Sequence, residues 1–568
     1  VLCEVNAIIN EEINAVRLLI AVWGSPWYIF KSVEAKSRYS WVPVSYIYRG
    51  VSDSSKKWRT TIPLLLEVLK PTKTLIFVPE SVVYEPINDY EELKKYIHGI
   101  YREFLEKECG IPLNRGIDIN VLPSVGRYKN KITNHEYLRV EIHGSPLNYA
   151  YMLALNIAQV IETLLVEHFE SFDKTLEVYL DISHGMNFMP VIARVTLQEL
   201  LNIIATFINT KLIVLNSEPV PREEVEEVGI CNILEIESHE DLMPTQLSFT
   251  YLRTLNLLID EELSKQKKTI ATKGSLLTPL EEIKDENTRT SIIERGHKIL
   301  LDIIPREKLG DLLAFAAAFQ HILPLWIFYF KSRLRNIESI KPISALRTKL
   351  EAAFSEFTKI DFRDSTLSIT HFASIGSVTL EIVKAILALH TLSAAGYKGC
   401  EEAELEELKM KKLRDMPGTF RYLKLRVERD IGQITHNIID VCKSDISSRI
   451  TNRNVALIEI EALKKEALKE HSSKKELISP EELEQKCKQI EEDVNSIVRK
   501  VKEGIMNWRG ITNSARNIVA HSGLEHCTVE AIVDVCLKDE SEVKRRIRVR
   551  PRSNKAEYVE KLLRLELL

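Results

Sequence analysis

The stretch LEVYLDISHGMNFMP, Leu176–Pro190, reads as a strand, a turn and the start of a helix in direct succession. Leu176, Val178, Leu180 and Ile182 alternate with Glu177, Tyr179 and Asp181, and a period of two predicts a strand. Ser183-His184-Gly185-Met186-Asn187 is the turn, and a helical pattern opens at Met189. A helix N-terminus offers unpaired N–H groups and partial positive charge, which suit a phosphate or another anion. Gly185 lets a backbone approach closely, while Ser183, His184 and Asn187 carry groups that read hydroxyls or base edges. A capped strand-to-helix turn with no ligand has the same pattern. No Gly-x-Ser-x-Gly frames Ser183, so the turn is not a nucleophile elbow.

Outward from this stretch, residues 13–240 repeat the same grammar. Strands are predicted at Val16–Trp23, Val42–Tyr48, Thr74–Val78, Ile117–Leu122, Leu176–Ile182, Lys211–Leu215 and Cys231–Ile236. Helical patterns lie between them at Ile62–Leu69, Tyr90–Glu108, Tyr149–Phe169 and Met189–Phe207. Alternating strands and helices imply an α/β domain with a mainly parallel sheet. Ligands of such sheets collect outside the carboxyl ends of the strands.

Other strand ends point to the same place. The first strand runs into Trp23-Gly24-Ser25-Pro26-Trp27, a glycine turn between two rings able to stack on a base. SDSSKKWRTT, Ser52–Thr61, brings Ser54, Ser55, Lys56 and Lys57 ahead of a helix for which Thr61 is a good N-cap and Pro63 suits the first turn. Arg127 ends the loop Pro123-Ser124-Val125-Gly126-Arg127. Four polar loops without a framed nucleophile describe a binding platform rather than a reaction centre.

From Met243 onward strand-like runs become rare, and Leu, Ile, Glu, Lys and Ala recur at helical spacing. The linker is placed at His239–Gln246, and Thr269–Asn287 is a second irregular stretch. The charged segment 461–493 is read as a solvated helical hairpin inserted between core helices. LLAFAAAFQHILPLWIFYF, Leu312–Phe330, approaches a bilayer span in length, but Gln320, His321 and Pro324 interrupt it, so a buried helix is expected. A net charge of -4 over 568 residues excludes a globally basic nucleic-acid coat. The eight cysteines show no metal spacing and are read as free thiols of a cytoplasmic protein.

Near the C-terminus RNIVAH, Arg516–His521, sets a guanidinium, an amide and an imidazole within two helical turns. Such a set can clamp a phosphate and move its protons without a metal. Five residues turn an ideal helix by about 500°, leaving Arg516 and His521 roughly 140° apart. Asn517 and His521 therefore share a face, and Arg516 must reach around to join them. A plain helix end, with His521 as a cap, fits the same residues. KRRIRVRPR, Lys544–Arg552, fits either an RNA guide or a short exposed β-ribbon. His371 and His436 are read as satisfied helix residues.

WGSP at 23–26, TTIPLLLEVLKPTKTLIFVPES at 60–81, VLPSVGR at 121–127 and LDISHGMNFMP at 180–190 together resemble a CARF domain, the Rossmann-type sensor of type III CRISPR systems. RNIVAH resembles the Arg-x4–6-His motif of HEPN ribonucleases, and the order of motifs matches the CARF–HEPN effectors of Csx and Csm type. The implied architecture is α/β plus all-α: a CARF sensor at 1–240, a helical connector at 241–304, and a HEPN domain at 305–568 with an insertion at 461–493.

The resemblance implies a cyclic oligoadenylate activator, tetra-adenylate ahead of hexa-adenylate, held across a homodimer or a higher assembly. Its contacts fall on Trp23, Gly24, Ser25, Ser55, Thr61, Arg127, Asp181, Ser183, His184, Gly185 and Asn187. The activity implied is metal-independent cleavage of single-stranded RNA by 2′-hydroxyl attack. Arg516, Asn517 and His521 would be catalytic, with no cofactor, no metal and no membrane partner. The alternative is a ligand-responsive nucleic-acid-binding regulator without cleavage.

Overall fold

The structure, a computed structural model, describes residues 15–32, 34, 38–52, 56–112, 116–169, 174–186, 188–219, 229–243, 247–249, 251–259, 274–338, 341–411, 413, 419–467, 482, 485, 487–489, 492, 524, 527–553 and 555–566. Two compact units emerge: Val1–Pro244 with Ser275–Ile303 and Lys341–Ala394, and Thr245–Gly274 with Ile304–Ile340 and Ala395–Leu568.

The first unit opens with strands β1 (Ala15–Val22), β2 (Ser45–Tyr48), β3 (Val51–Ser52), β4 (Lys73–Pro79), β5 (Ile117–Leu122), β6 (Gly126–Lys131), β7 (Tyr137–His143), β8 (Thr175–Asp181), β9 (Thr210–Ser217) and β10 (Ile230–His239). Helices α1 (Ile62–Leu69), α2 (Tyr90–Glu108), α3 (Leu147–His168) and α4 (Met189–Ile204) lie between them. The main sheet has the order β3-β2-β10-β9-β8-β1-β4-β5, with β5–β4–β1–β8–β9 parallel throughout. Leu18 to Val22 are fully buried, as a sheet covered on both faces requires. Winding runs outward from β1 to β4 and β5 on one side and returns to β8 and β9 on the other. The β1/β8 boundary is therefore the topological switch point, outside whose carboxyl ends ligands of such sheets bind.

Strand and helix positions follow the periodicities closely, but three features depart from expectation. The stretch after β5 is not an open loop, because β6 and β7 form an antiparallel hairpin with Arg127 inside β6. Two segments assigned by sequence to the helical half also pack into this unit. They supply β11 (Leu277–Pro279), β12 (Thr358–Arg363), β13 (Thr366–His371) and β14 (Ala373–Ile375), with helices α5 (Glu286–Ile303), α6 (Pro342–Glu356) and α7 (Val378–Ala394). β13 pairs in parallel with β7, giving a second sheet of order β12-β13-β7-β6. Asp364 and Ser365, both at positive φ, make the two-residue turn between β12 and β13. α7 is apolar on nearly every side and is buried against α3 and α4.

His371 therefore lies on a strand rather than a helix. It is fully buried, with Nε2 2.7 Å from Glu80 Oε1 and Nδ1 2.9 Å from Thr358 Oγ1. α3 is long and apolar enough to cross a membrane by length and composition, and 67% of that window is buried within the protein.

The second unit is mainly helical but also carries an antiparallel sheet. Strands β15 (Ala403–Glu404), β16 (Arg453–Ala456), β17 (Val529–Val533) and β18 (Arg548–Pro551) take the order β15-β18-β17-β16. The apolar run expected as one helix is two, Arg306–Gln320 and Pro324–Arg333. Ile322 at positive φ and Pro324 separate them, and both are buried along most of their length. The basic run forms the end of helix Glu540–Arg546 and then β18. Arg548 pairs with Glu402 and Asp534 at 2.6 and 3.1 Å, and Arg550 with Glu530 and Glu402 at 2.5 and 3.1 Å. These bonds match the ribbon reading. His436 is exposed on helix Thr419–Cys442. Of the charged insertion, helix Leu457–Ala467 packs on Thr419–Cys442 through Lys464, 3.0 Å from Asn437 and 3.1 Å from Asp440.

The expectation of free thiols is overturned in this unit. Cys442 bonds to Cys536 and Cys487 to Cys527, over sequence separations of 94 and 40 that leave no local spacing to recognise. Cys109, Cys231 and Cys400 are free.

Candidate ligand-binding site at the strand ends

The first unit brings the loops after β1 and β8 together at the switch point. β1 and β8 end in register, Ala21 opposite Asp181. Past the last pair, the Gly24 N–H donates to the His184 carbonyl at 2.7 Å, and the Tyr101 hydroxyl donates to the Gly24 carbonyl at 2.7 Å. The WGSP turn and the Ser183–Met186 turn are thus one structure. Gly24 is needed for that approach, since a Cβ there would stand 3.1 Å from Met186 Cβ.

Beneath the turns lies the carboxylate of Asp181, fully buried. It accepts the Thr61 hydroxyl at 2.6 Å, the Ser183 N–H at 3.0 Å and the Ser183 hydroxyl. Ser183 Oγ in turn accepts the Ser217 N–H at 2.8 Å. Burial raises the Asp181 pKa, and the three hydrogen bonds oppose that rise. Thr61 sits just ahead of α1, but its side chain caps nothing there, because its hydroxyl serves Asp181 instead. The Ser183 hydroxyl is likewise committed to the fold, so both residues shape the platform rather than face a ligand.

His184 stacks on Trp41, with ring centroids 4.2 Å apart and planes inclined by 26°. The residue is half-buried, but its Nε2 is sealed and has no hydrogen-bond partner among the described residues. Burial pushes its pKa down to about 3, so the ring is neutral at physiological pH. Gly185 meets the start of α4 closely, and a Cβ there would lie 2.4 Å from Pro190 Cγ. Phe188, the residue ahead of α4, makes no side-chain capping bond.

The rings of Trp23 and Trp27 do not face outward as base-stacking surfaces. Trp23 is fully buried in edge contact with Trp41 and Phe104, and Trp27 is 7% exposed among Phe30, Tyr84, Tyr101 and Phe104. They form an apolar footing for the turn, and half-exposed Trp41 is the ring set beside His184. Ser25 shares a 2.7 Å hydrogen bond with the Tyr84 hydroxyl. Trp41, Tyr84 and Tyr101 escape sequence reasoning because none sits in a glycine turn or at a helix start; the aromatic density of 27–41 hints at Trp41 alone.

Arg127 belongs to the second sheet, with 80% of its side chain exposed and Glu141 3.6 Å away. Ser55, Asn187 and the catalytic candidates Arg516, Asn517 and His521 lie outside the described residues. The structure therefore unites Trp23, Gly24, Ser25, Thr61, Asp181, Ser183, His184 and Gly185. What they build is a pair of joined turns over a buried carboxylate, beside a stacked imidazole whose Nε2 has no partner among the described residues.

Comparison with known proteins bears on what this segment resembles. Residues 18–219 match the family model described as the CARF domain of the CRISPR system endoribonuclease Csx1. The CRISPR system endoribonuclease Csx1 of Methanocaldococcus jannaschii is 25% identical over 254 residues, 45% of this chain and 48% of the relative. The chain thus spans about half the length of the curated relative it matches. The Csm6 structure of Enterococcus italicus bound to cyclic hexa-2′-fluoro-hexa-dAMP aligns over 98% of this chain and 100% of that chain at 11% identity. Its TM-score of 0.16 supports no common fold. The joined turns at the strand ends lie inside the matched segment, and residues 18–219 resemble the CARF domain of the CRISPR system endoribonuclease Csx1.

Proposed function

We propose that the protein is a cyclic oligoadenylate-activated endoribonuclease of type III CRISPR antiviral defence, acting in the cytoplasm on single-stranded RNA. The observation that carries this reading is the joined Gly24–His184 and Thr61–Asp181–Ser183 crevice at the β1/β8 switch point of a Csx1-type CARF segment. The ring rests on the Gly24 backbone, the His184–Trp41 pair and the start of α4. The buried His184 Nε2 has no hydrogen-bond partner among the described residues, and a ring that displaces its cover would supply one. A two-fold pair of such crevices suits a ring with an even number of repeats, so the active form is a homodimer. The tetra-adenylate is the first choice and the hexa-adenylate the second.

Cleavage is assigned to a HEPN domain in the C-terminal half. Arg516 steadies the charge gathering on phosphorus as the substrate's 2′-hydroxyl attacks, His521 moves the proton, and Asn517 orients the phosphate. The 2′-oxygen–phosphorus bond forms as the 5′-oxygen–phosphorus bond breaks, leaving a 2′,3′-cyclic phosphate and a 5′-hydroxyl. No metal takes part.

Incubating the protein with cyclic oligoadenylates of four and six units and a fluorescent single-stranded RNA tests both halves of the reading. Cleavage that depends on one ring and persists in a chelator is expected. Ring binding without cleavage would leave a sensor only, and salt-sensitive binding to a DNA site would favour a regulator.

A further inference from the structure

β5 is the edge of the eight-stranded sheet, and a cleft of about 320 Å³ opens along residues 119–123. α2, α3 and α6 complete its lining. Asn156 on α3 is 2% exposed; its Nδ2 donates to the Met152 carbonyl at 2.8 Å, while its buried Oδ1 has no partner among the described residues. A buried acceptor without a donor is rare in folded proteins and marks a place where a missing group belongs. Ile119, Leu122, Met152 and Phe354 give the cleft an apolar wall.

The rim is charged unevenly. Lys94 is tied to Glu91 at 2.7 Å and Arg347 to Glu351 at 2.8 Å, but Lys95 has no acidic partner among the described residues. Three cations against two carboxylates leave one positive charge in excess. An edge strand adds main-chain N–H and C=O groups on its open side.

We propose that this cleft binds a nucleoside 5′-monophosphate whose base carries an exocyclic amine. The amine supplies the donor that Asn156 Oδ1 lacks, and the base lies along the apolar wall with its edge toward β5. The phosphate meets Lys95. The volume falls at the lower end of ligand pockets, roughly 300–1,000 Å³, which fits one small ligand. A peptide strand would need the whole of β5, and only its C-terminal part reaches the cleft. The site shares no residue with the Gly24–His184 crevice, and Arg347, Glu351 and Phe354 lie outside the matched segment 18–219. The proposal stands independently of the ribonuclease reading.

Isothermal titration of the full chain with adenosine, cytidine, guanosine and uridine 5′-monophosphates tests it. Saturable binding is expected for at least one of the three amine-bearing nucleotides, with the uridine nucleotide at least about tenfold weaker, the loss of one buried hydrogen bond. Asn156→Leu and the exposed-site variant Lys95→Glu should each weaken binding by about tenfold, while Thr61→Val leaves it unchanged. Absence of saturation with every nucleotide, equal affinity for the uridine nucleotide, or full affinity in both Asn156→Leu and Lys95→Glu would overturn the proposal. Loss of binding in Thr61→Val alone would move the nucleotide to the strand-end crevice and overturn it equally.

Discussion

The Thr61 hydroxyl donates to the Asp181 carboxylate at 2.6 Å, joining the residue before α1 to the last residue of β8 across 120 positions of sequence. With Ser183 on the other oxygen, the carboxylate ties two loops and a helix start into one block. The turn surface above it is held from below, so its shape depends on residues beneath it.

Thr61→Val keeps the shape of the side chain and removes the donor. One buried carboxylate oxygen then loses its partner, a destabilisation of about 1–3 kcal/mol. The urea unfolding midpoint should fall, and the ring concentration needed for activation should rise. Thr61→Ser should restore both. An unchanged midpoint in Thr61→Val would mean that the bond does not hold the loops.

Asp181 and His184 impose opposite pH dependences. Burial raises Asp181, so from the ordinary carboxylate range up to its folded value the native state keeps a proton that the unfolded chain has lost. Stability from this group falls as pH rises through that window. Burial pushes His184 down to about 3, so between about 3 and the unfolded value near ~6.5 the unfolded chain binds the extra proton. Stability from His184 falls as pH drops through that interval, by at most about 1.4 kcal/mol per pH unit. In urea unfolding between pH 4 and 8, His184→Gln should lose part of the acid sensitivity. Wild type should gain on Asp181→Asn toward low pH. Parallel curves for all three proteins would contradict both assignments.

Gly185→Ala puts a Cβ 2.4 Å from Pro190 Cγ, with the Ile182 carbonyl 3.3 Å away. The proline ring is fixed at the start of α4, so the turn or the helix must shift. Ring binding should weaken by about tenfold or more while the main sheet stays folded, since the strain is local. Calorimetry with the ring, beside a circular dichroism melt, separates the two effects. Wild-type affinity in this variant would show that the turn does not shape the site.

The strands that carry the crevice were legible because each is short, apolar and closed by a turn, as in Leu176–Ile182, where alternation and glycine agree. Gly24, Ser183 and Gly185 were legible as loop residues for the same reason, but the direction of Thr61 was not. A threonine before a helix reads as a cap, and only the tertiary fold reveals a buried carboxylate competing for its hydroxyl. Trp23 shows the same limit: an aromatic beside a glycine turn faces outward or inward with equal sequence support, and here Phe104 and Tyr101 draw it inward. The insertion of 341–394 into the first unit was hidden because α7 has the composition of any buried helix, and its partners α3 and α4 lie about two hundred residues upstream. The disulfides were hidden by their long separations.

Those disulfides give a covalent prediction. The pair Cys487–Cys527 closes a segment nested in sequence within the one closed by Cys442–Cys536, and Arg516–His521 falls inside both. Closing loops of this size stabilises by about 4 kcal/mol for a single bridge, chiefly by restricting the unfolded chain. Denatured protein alkylated without reductant should carry four fewer labels than protein reduced first, and reduction should lower the melting temperature of the second unit. Equal labelling in the two samples would remove the bridges from the account.

The catalytic assignment makes the sharpest demand on RNIVAH. If His521 moves the proton, His521→Ala should cut RNA cleavage by about 10²–10⁴-fold while ring binding to the sensor stays intact. Arg516→Lys tests a different property, because an ammonium retains the charge but not the planar fork that grips a phosphate through two parallel bonds. It should lose most of the activity that His521→Ala loses. Asn517→Ala, which removes an orienting group rather than a charge or a proton carrier, should retain more. Since one chain supplies one such set, specific activity should also fall on dilution as homodimers dissociate, and added ring should oppose that fall. Full cleavage by His521→Ala at wild-type ring affinity would exclude this histidine and return the C-terminal run to an ordinary helix end.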